Sequence, residues 1–144
     1  CIDRFKNILL PNQMATDGSF PLELKRTKPY GYSLFNIDAF FNVAQILSTT
    51  EDNLFEYETN DGKSLKKGLE YIYPYVKDKT IWPFAKDIYI WNEWPVCHPF
   101  LIFGAVAYNN LNYIEAYLEL PAYPIHSEVV RNLPVRHPII WLLD

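Results

Sequence analysis

The sequence predicts an all-α protein built from antiparallel helix pairs. Apolar residues recur at intervals of three and four along several stretches, which is the spacing of one face of a helix. Strand-like alternation of apolar and polar residues is almost absent over any useful length. Proline and aromatic residues separate the periodic stretches, so we expect loops rich in these residues to join the helices.

The periodic stretches place the helices in chain order. The first should stop at Pro11, since proline lacks the N–H that a helix interior needs. We expect Ser33 and Ser64 to be the N-cap residues of two later helices, and Asn109-Asn110 to end an apolar, buried one. The predicted helices are therefore 2–10, 33–48, a short piece at 51–57, one from Ser64 with an end or kink at 74–77, 99–109, 111–120, and two shorter pieces at 128–133 and 138–143.

Composition restricts the partners of the chain. The 144 residues are 49% hydrophobic and carry a formal charge of −4, which fits one globular unit without a general attraction for nucleic acid. No apolar run reaches the roughly 20 residues that a membrane span requires. Cys1 and Cys97 lack the spacing of a zinc or redox site, although one disulfide between them remains open. We expect no nucleic-acid partner and no membrane span.

The segment 17–36, DGSFPLELKRTKPYGYSLFN, carries an unusual density of turns, cations and tyrosines. Pro21 and Pro29 bias the residues before them towards extended geometry, so we expect an extended path until Ser33 caps the next helix. Polar groups on such a path can all face one cleft. Gly-rich phosphate loops and the HExxH and GxSxG motifs are missing from the sequence, and we expect neither a cofactor nor a metal.

Four stretches together resemble the alginate lyase domain family: DGSFPLELKRTKPYGYSLFNIDA, Trp82-Pro83, EWPVCHPFLIFGAVAY and RNLPVRHPIIW. The resemblance implies part of an (α/α) toroid, whose cleft binds a uronic-acid polysaccharide and cleaves it by β-elimination. About four long helices are recognisable, fewer than a closed toroid needs. We therefore expect residues 1–144 to form one unit, the C-terminal portion of such a toroid in a longer chain.

The resemblance also implies partners and a location. The expected partners are an acidic polysaccharide and the remaining N-terminal part of the toroid, with self-association through an uncovered apolar face as a further expectation. A leader peptide is not visible in these residues. A polymer too large to enter cells nevertheless favours a secreted or periplasmic enzyme.

Two residues are the candidate catalytic groups. Arg26 can bind the substrate carboxylate in a bidentate manner and so favour loss of the neighbouring proton. Tyr32 matches the catalytic tyrosine of the family and would transfer protons. Alternatively, Arg26 forms a surface ion pair with Glu23 or Asp17, and Tyr32 is a core residue. The predicted substrate-binding set is Tyr30, which would stack on the sugar, Lys25, Lys28, Glu23 and Trp94.

Several roles stay open at the sequence level. Trp82, Trp91 and Trp94 either stack on sugar rings or pack on helix ends. His98 and His137 are too far apart in sequence for a ligand motif, so a structural role is the alternative to a metal or base role. The asparagine and histidine that the family uses have no counterpart here. The chain can accordingly be a lyase, a non-catalytic sugar-binding or scaffold domain, or a fragment without activity of its own.

Overall fold

The computed structural model describes residues 1–133 and 135–142. Within these residues the regular structure is helical, and the one β-bridge joins Glu58 to Ser64. The α-helices are α1 Ile2–Arg4, α2 Leu10–Gln13, α3 Pro21–Leu24, α4 Pro29–Leu47, α5 Leu65–Lys77, α6 Pro99–Ala107, α7 Leu111–Glu119 and α8 Ser127–Arg131. A π-helical turn spans Phe5–Leu9, and 3₁₀ turns span Lys79–Ile81, Trp91–Glu93 and Pro138–Trp141. The prediction of an all-α fold is confirmed.

Helix α4 lies at the centre of the packing. It contacts α3, α5 and α6, and α6 in turn packs against α5 and α7. The first seven residues of α6 are all buried, because this helix is covered on nearly every face. A short turn ending at Asn110 joins α6 to α7, and the Asn110 side chain accepts the N–H of Asn112 at 3.1 Å. Among the described residues no helix is long and apolar enough to cross a membrane.

The core is strongly aromatic. Phe5 and Phe20 pack on Phe40, with ring centroids 5.6 and 6.1 Å away, on one side of α4. Phe41 packs on Phe100 of α6 at 6.2 Å. Gly104 lets α6 approach closely, since a Cβ there would lie 2.4 Å from a Leu69 methyl carbon. The high aromatic content is therefore used mainly to fill the space between helices.

Several predicted helix boundaries are confirmed. Helix α4 ends at Leu47, and α6 and α7 begin where their apolar patterns begin. Ser64 caps α5, and its Oγ accepts the N–H of Lys67 at 3.4 Å. Cap residues and hydrophobic periodicity thus located these helices correctly.

Two prolines lie within helical segments. Pro11 does not end its helix, contrary to the prediction, whereas α5 ends at Lys77, within the segment 74–77 that was expected to end or kink it. Pro11 is tolerated because the chain forms a π-helical turn before it, in which the N–H of Leu10 bonds to the carbonyl of Phe5. Pro74 lies inside α5, which continues to Lys77. The carbonyl that loses its partner belongs to Glu70, and both Glu70 and Pro74 are exposed, so water can replace the missing hydrogen bond.

The short helix predicted at 51–57 is wrong. Residues 49–57 form bends and a turn held by side chains, for example Thr49 Oγ1, which accepts the N–H of Asp52, and Asn53 Oδ1, which accepts that of Phe55. Such local bonds compete with helix formation. Near the C-terminus, α8 and the 3₁₀ turn Pro138–Trp141 match the two shorter pieces in position. Leu143, the end of the second piece, lies outside the described residues.

The cysteines do not form the disulfide that the sequence left open. Cys1 is exposed and Cys97 is buried, and both are free thiols. The Cys97 Sγ lies 3.2 Å from each of the carbonyl oxygens of Tyr117 and Leu120, which share its one S–H donor, and burial raises the pKa of the thiol. This cysteine therefore ties the segment before α6 to the end of α7.

Candidate active site

The segment that carries Arg26 and Tyr32 is largely helical, so the predicted extended path is wrong. Phe20 and Lys28, the residues before the prolines, do lie outside the α region, with φ of −114° and −130°. Each proline itself, however, begins a helix, since the first helical position needs no N–H. Ser33 is consequently not the N-cap of α4. Its hydroxyl donates instead to the carbonyl of Pro29 at 2.7 Å.

A distant carboxylate caps the start of α4. Lys28 occupies the cap position and has no acceptor for the free N–H groups. Asp87 takes this role: its Oδ1 accepts the N–H of Tyr30 and its Oδ2 that of Gly31, both at 2.9 Å. Asp87 is buried, and burial raises its pKa above the ordinary value. The loop that contains it also bonds to the segment before α4, through the N–H of Ile88 and the carbonyl of Thr27 at 3.1 Å.

Gly31 allows the loop to approach this closely. A Cβ at this position would lie 2.8 Å from Asp87 Oδ2 and 2.8 Å from Trp94 Nε1. Either distance is too short for carbon against a polar atom, so any larger residue would displace the loop. The Tyr-Gly-Tyr sequence therefore places Tyr32 directly after a backbone segment that is fixed on both sides.

Arg26 and Tyr32 are in direct contact. The guanidinium carbon of Arg26 lies 3.6 Å from the centroid of the Tyr32 ring, a close cation–π arrangement. At the same time Arg26 Nη1 donates to Glu23 Oε2 at 2.9 Å, with the arginine side chain 52% exposed. Arg26 therefore forms the surface ion pair with Glu23 and also contacts Tyr32. Arg26 remains accessible to a ligand that can compete with Glu23.

Lys28 connects Tyr32 to the C-terminal part of the chain. Its ammonium forms an ion pair with Glu128 of α8 and lies 4.9 Å from the centroid of the Tyr32 ring. Glu128 and Asn132 line a narrow crevice with Lys28, Gly31 and Tyr32. Lys25, by contrast, is exposed at the surface. Sequence reasoning missed Asp87, Glu128 and Asn132, and their separation in the chain left no local signal for them.

Tyr30 does not stack on a substrate as predicted, because its side chain is fully buried. Its hydroxyl donates to the carbonyl of Tyr75 at 2.9 Å, and its ring packs on Trp82 and Trp91 with centroids 5.1 and 5.4 Å away. On a helix, residues two apart point in nearly opposite directions. Tyr30 therefore faces the core, whereas Tyr32 faces the crevice.

Trp94 also has no free face for a sugar. It is 3% exposed, and its ring stacks on His98 at 5.6 Å. Trp82 is likewise buried, at 8% exposed. Both tryptophans therefore pack against the protein instead of offering a ring face to a sugar. The predicted substrate-binding role of Trp94 is corrected accordingly.

His98 has the surroundings of a structural histidine. Its Nδ1 lies 2.6 Å from Asp38 Oδ2 in the core, and the pair is almost completely buried. Burial raises the pKa of Asp38, an effect that the adjacent His98 opposes. Asp38 Oδ1 also accepts the N–H of Phe100 at 3.2 Å, so this pair joins α4 to the start of α6. No group of three or more His, Cys, Asp or Glu residues in the described part of the chain is arranged to hold a metal ion.

Comparison with known proteins identifies the family. The family model described as alginate lyase matches residues 1–82, which is more than half of the chain. The chain belongs to the alginate lyase family. It is also similar to the crystal structure of an alginate lyase from Bacteroides ovatus, with a TM-score of 0.65 and 23% identity over 92% of this chain and 35% of that one. This similarity shows the fold, part of an α/α toroid. No curated protein matches the chain.

The family model covers part of the candidate site in this alginate lyase family member. Arg26, Lys28 and Tyr32 lie inside the region that the family model matches, and Asp87 and Glu128 lie beyond it. The chain spans about a third of the length of the Bacteroides ovatus protein.

Proposed function

We propose that the protein containing these residues is a polysaccharide lyase that cleaves alginate or a related polyuronate by β-elimination. The observation that carries the proposal is the contact between Arg26, whose side chain is half exposed, and the partly exposed Tyr32. Membership of the alginate lyase family supports the same reaction class. The matched structure, which is named as an alginate lyase, supports it through its fold.

Arg26 would bind the carboxylate of the sugar that is cleaved. β-Elimination removes the proton on C5, next to that carboxylate, and the carboxylate's negative charge opposes formation of a second charge beside it. A guanidinium that binds both carboxylate oxygens reduces this barrier, because it stabilises the charge that develops in the transition state. The substrate carboxylate would replace Glu23 as the partner of Arg26.

Tyr32 would transfer protons in the same reaction. Its phenol can take the C5 proton or deliver a proton to the oxygen that leaves C4. Arg26 and Lys28 both lie over its ring, so two cationic side chains stand next to the phenol that would transfer protons. Glu128 orients the ammonium of Lys28 in this position.

The full site would extend beyond these residues. We infer that the asparagine and histidine expected of the family come from a part of the protein outside residues 1–144. Residues 1–144 would then be one unit within a larger toroid, in agreement with their coverage of about a third of the related structure. Because a polyuronate is too large to enter cells, the enzyme would act in the periplasm or outside the cell.

Incubating the full-length protein with alginate and other polyuronates tests the proposal. Elimination creates a carbon–carbon double bond conjugated to the carboxylate, so ultraviolet absorbance should rise with time. Titration calorimetry with an oligouronate, run in parallel, measures binding without cleavage. Binding with no rise in absorbance would identify a non-catalytic sugar-binding domain and overturn the lyase proposal. If the absorbance does not rise and the oligouronate does not bind, both the lyase proposal and the sugar-binding alternative are overturned.

A further inference from the structure

A second groove opens beside the crevice of Tyr32. It has a volume of about 410 Å³ and is formed by residues 87–93 together with His126. Ile90 lines both the groove and the crevice. The two are also linked through Glu128, which pairs with Lys28 in the crevice and donates its N–H to His126 in the groove. A chain-like ligand bound at Tyr32 would therefore continue into this groove.

Tyr89 and His126 form a hydrogen-bonded pair in the groove. Tyr89 Oη lies 3.0 Å from His126 Nε2, and the two rings meet edge to face. The contacts of the other ring nitrogen of His126, Nδ1, show which group donates in the bond between Tyr89 and His126. Nδ1 lies 3.2 Å from the N–H of Glu128, and a backbone N–H can only donate, so Nδ1 accepts and the imidazole proton is on Nε2. His126 consequently donates to Tyr89.

This arrangement leaves the proton of the Tyr89 hydroxyl available to a ligand. The phenol oxygen already accepts from His126, so its own O–H must point elsewhere. Tyr89 is 55% exposed, and it makes no other side-chain hydrogen bond within residues 1–133 and 135–142. The pair is thus a donor held in one orientation beside the crevice.

The charge of the groove indicates which part of a sugar it would accept. Both carboxylate oxygens of Asp87 are occupied by the backbone of α4. Glu93 adds an exposed carboxylate to the groove, which can accept hydrogen bonds from hydroxyl groups. Since every sugar of a polyuronate carries a carboxylate, the neighbouring uronate would turn its hydroxyl groups to Glu93 and its carboxylate to solvent. A donor at Tyr89 and an acceptor at Glu93 are complementary to a sugar's hydroxyls.

We propose that this groove binds, through its hydroxyl groups, the sugar that adjoins the one held by Arg26 and Tyr32 on the side away from the bond that is cleaved. The inference rests on the proposed lyase function and adds a neighbouring subsite with its own ligand chemistry. Arg26 would select the carboxylate at the point of cleavage, whereas Tyr89 and Glu93 would read the hydroxyl pattern of the adjacent residue.

Kinetics of the full-length enzyme with Tyr89→Phe test the subsite. Loss of one hydrogen bond to the neighbouring sugar should raise KM for a long polyuronate about three- to tenfold, with kcat within about twofold of the wild type. His126→Asn, whose side-chain oxygen can still accept the N–H of Glu128, should give a similar rise, and the double variant no more than either single variant, because the two side chains act as one unit. The shortest cleavable oligomer, which does not reach the groove, should show the same KM for all of them.

Tyr123→Phe is the matched control, since Tyr123 is 85% exposed and lies close in sequence to His126. It should leave KM unchanged, and thermal unfolding should be the same for every variant.

An unchanged polymer KM in Tyr89→Phe, or an equal rise on the shortest oligomer, would overturn the subsite while leaving the lyase intact. If the wild type cleaves nothing, the proposed function fails, and calorimetry with an oligouronate then decides. If Tyr89→Phe binds the oligouronate more weakly than the wild type does, the subsite is supported. If the two proteins bind it equally, or neither binds it, the subsite is rejected.

Discussion

Arg26 makes two contacts that require a guanidinium. Its flat face lies on the Tyr32 ring, and its edge donates to a carboxylate, at present that of Glu23. A lysine has neither the flat face nor the paired donors. The same geometry explains how a substrate carboxylate could be held while Tyr32 is kept beside it.

Replacing Arg26 by lysine should therefore lower kcat/KM on a polyuronate by about a hundredfold or more, although the charge is conserved. Initial rates from the absorbance of the unsaturated product measure this effect. Arg4→Lys is the control, because it makes the same change at an exposed arginine outside the candidate site, and its rate should stay within about twofold of the wild type. Equal rates for Arg26→Lys and the wild type would contradict the proposal that Arg26 binds both oxygens of the substrate carboxylate.

Helix α4 depends on a carboxylate that lies far away in the chain. Asp87 accepts two successive N–H groups at the start of the helix, and the residues that own them, Tyr30 and Gly31, are buried. Without Asp87 these donors would lie in the interior with no acceptor. The position of Tyr32, the next residue of the helix, would then be less well defined.

Asp87→Ala should reduce the free energy of unfolding by about 2 kcal/mol, the typical cost of a lost cap with buried donors. Urea denaturation followed by circular dichroism measures the change. Glu93→Gln removes an exposed carboxylate from the same loop and should change stability by less than about 0.5 kcal/mol. If Asp87→Ala were as stable as the wild type, Asp87 would not be the cap of α4.

The same helix shows what could be predicted from the sequence. The end of α4 and the cap of α5 at Ser64 follow from local patterns, and both are confirmed. The start of α4 at Pro29 differs from the predicted start at Ser33, because proline favours the first helical position as well as extended structure before it. The earlier start of the helix turns Tyr30 into the core instead of towards a substrate.

The remaining parts of the site depend on contacts between distant segments. Asp87 meets Tyr30 across 57 residues, and Lys28 meets Glu128 across 100. Such pairs leave no periodicity or short motif, so only the folded chain reveals them. The contact of Arg26 with Tyr32 joins neighbours in sequence, which is why those two candidates were accessible to sequence reasoning.

At the scale of the whole molecule, three segments form the candidate site: the start of α4, the loop before α6, and α8. The toroid-type packing of α4 against α5 and α6 brings these segments to one place. Residues 1–144 would supply one side of a cleft that accommodates a polymer, with Tyr32 at its centre. The account therefore stands or falls on the chemistry of that tyrosine.

Tyr32→Phe in the full-length protein is the most direct test. The variant keeps the ring that Arg26 covers and removes only the hydroxyl, so folding and thermal unfolding should be unchanged. Formation of the unsaturated product from a polyuronate should fall by at least about a hundredfold, the usual contribution of a general acid or base. Full activity in a correctly folded Tyr32→Phe protein would contradict the account.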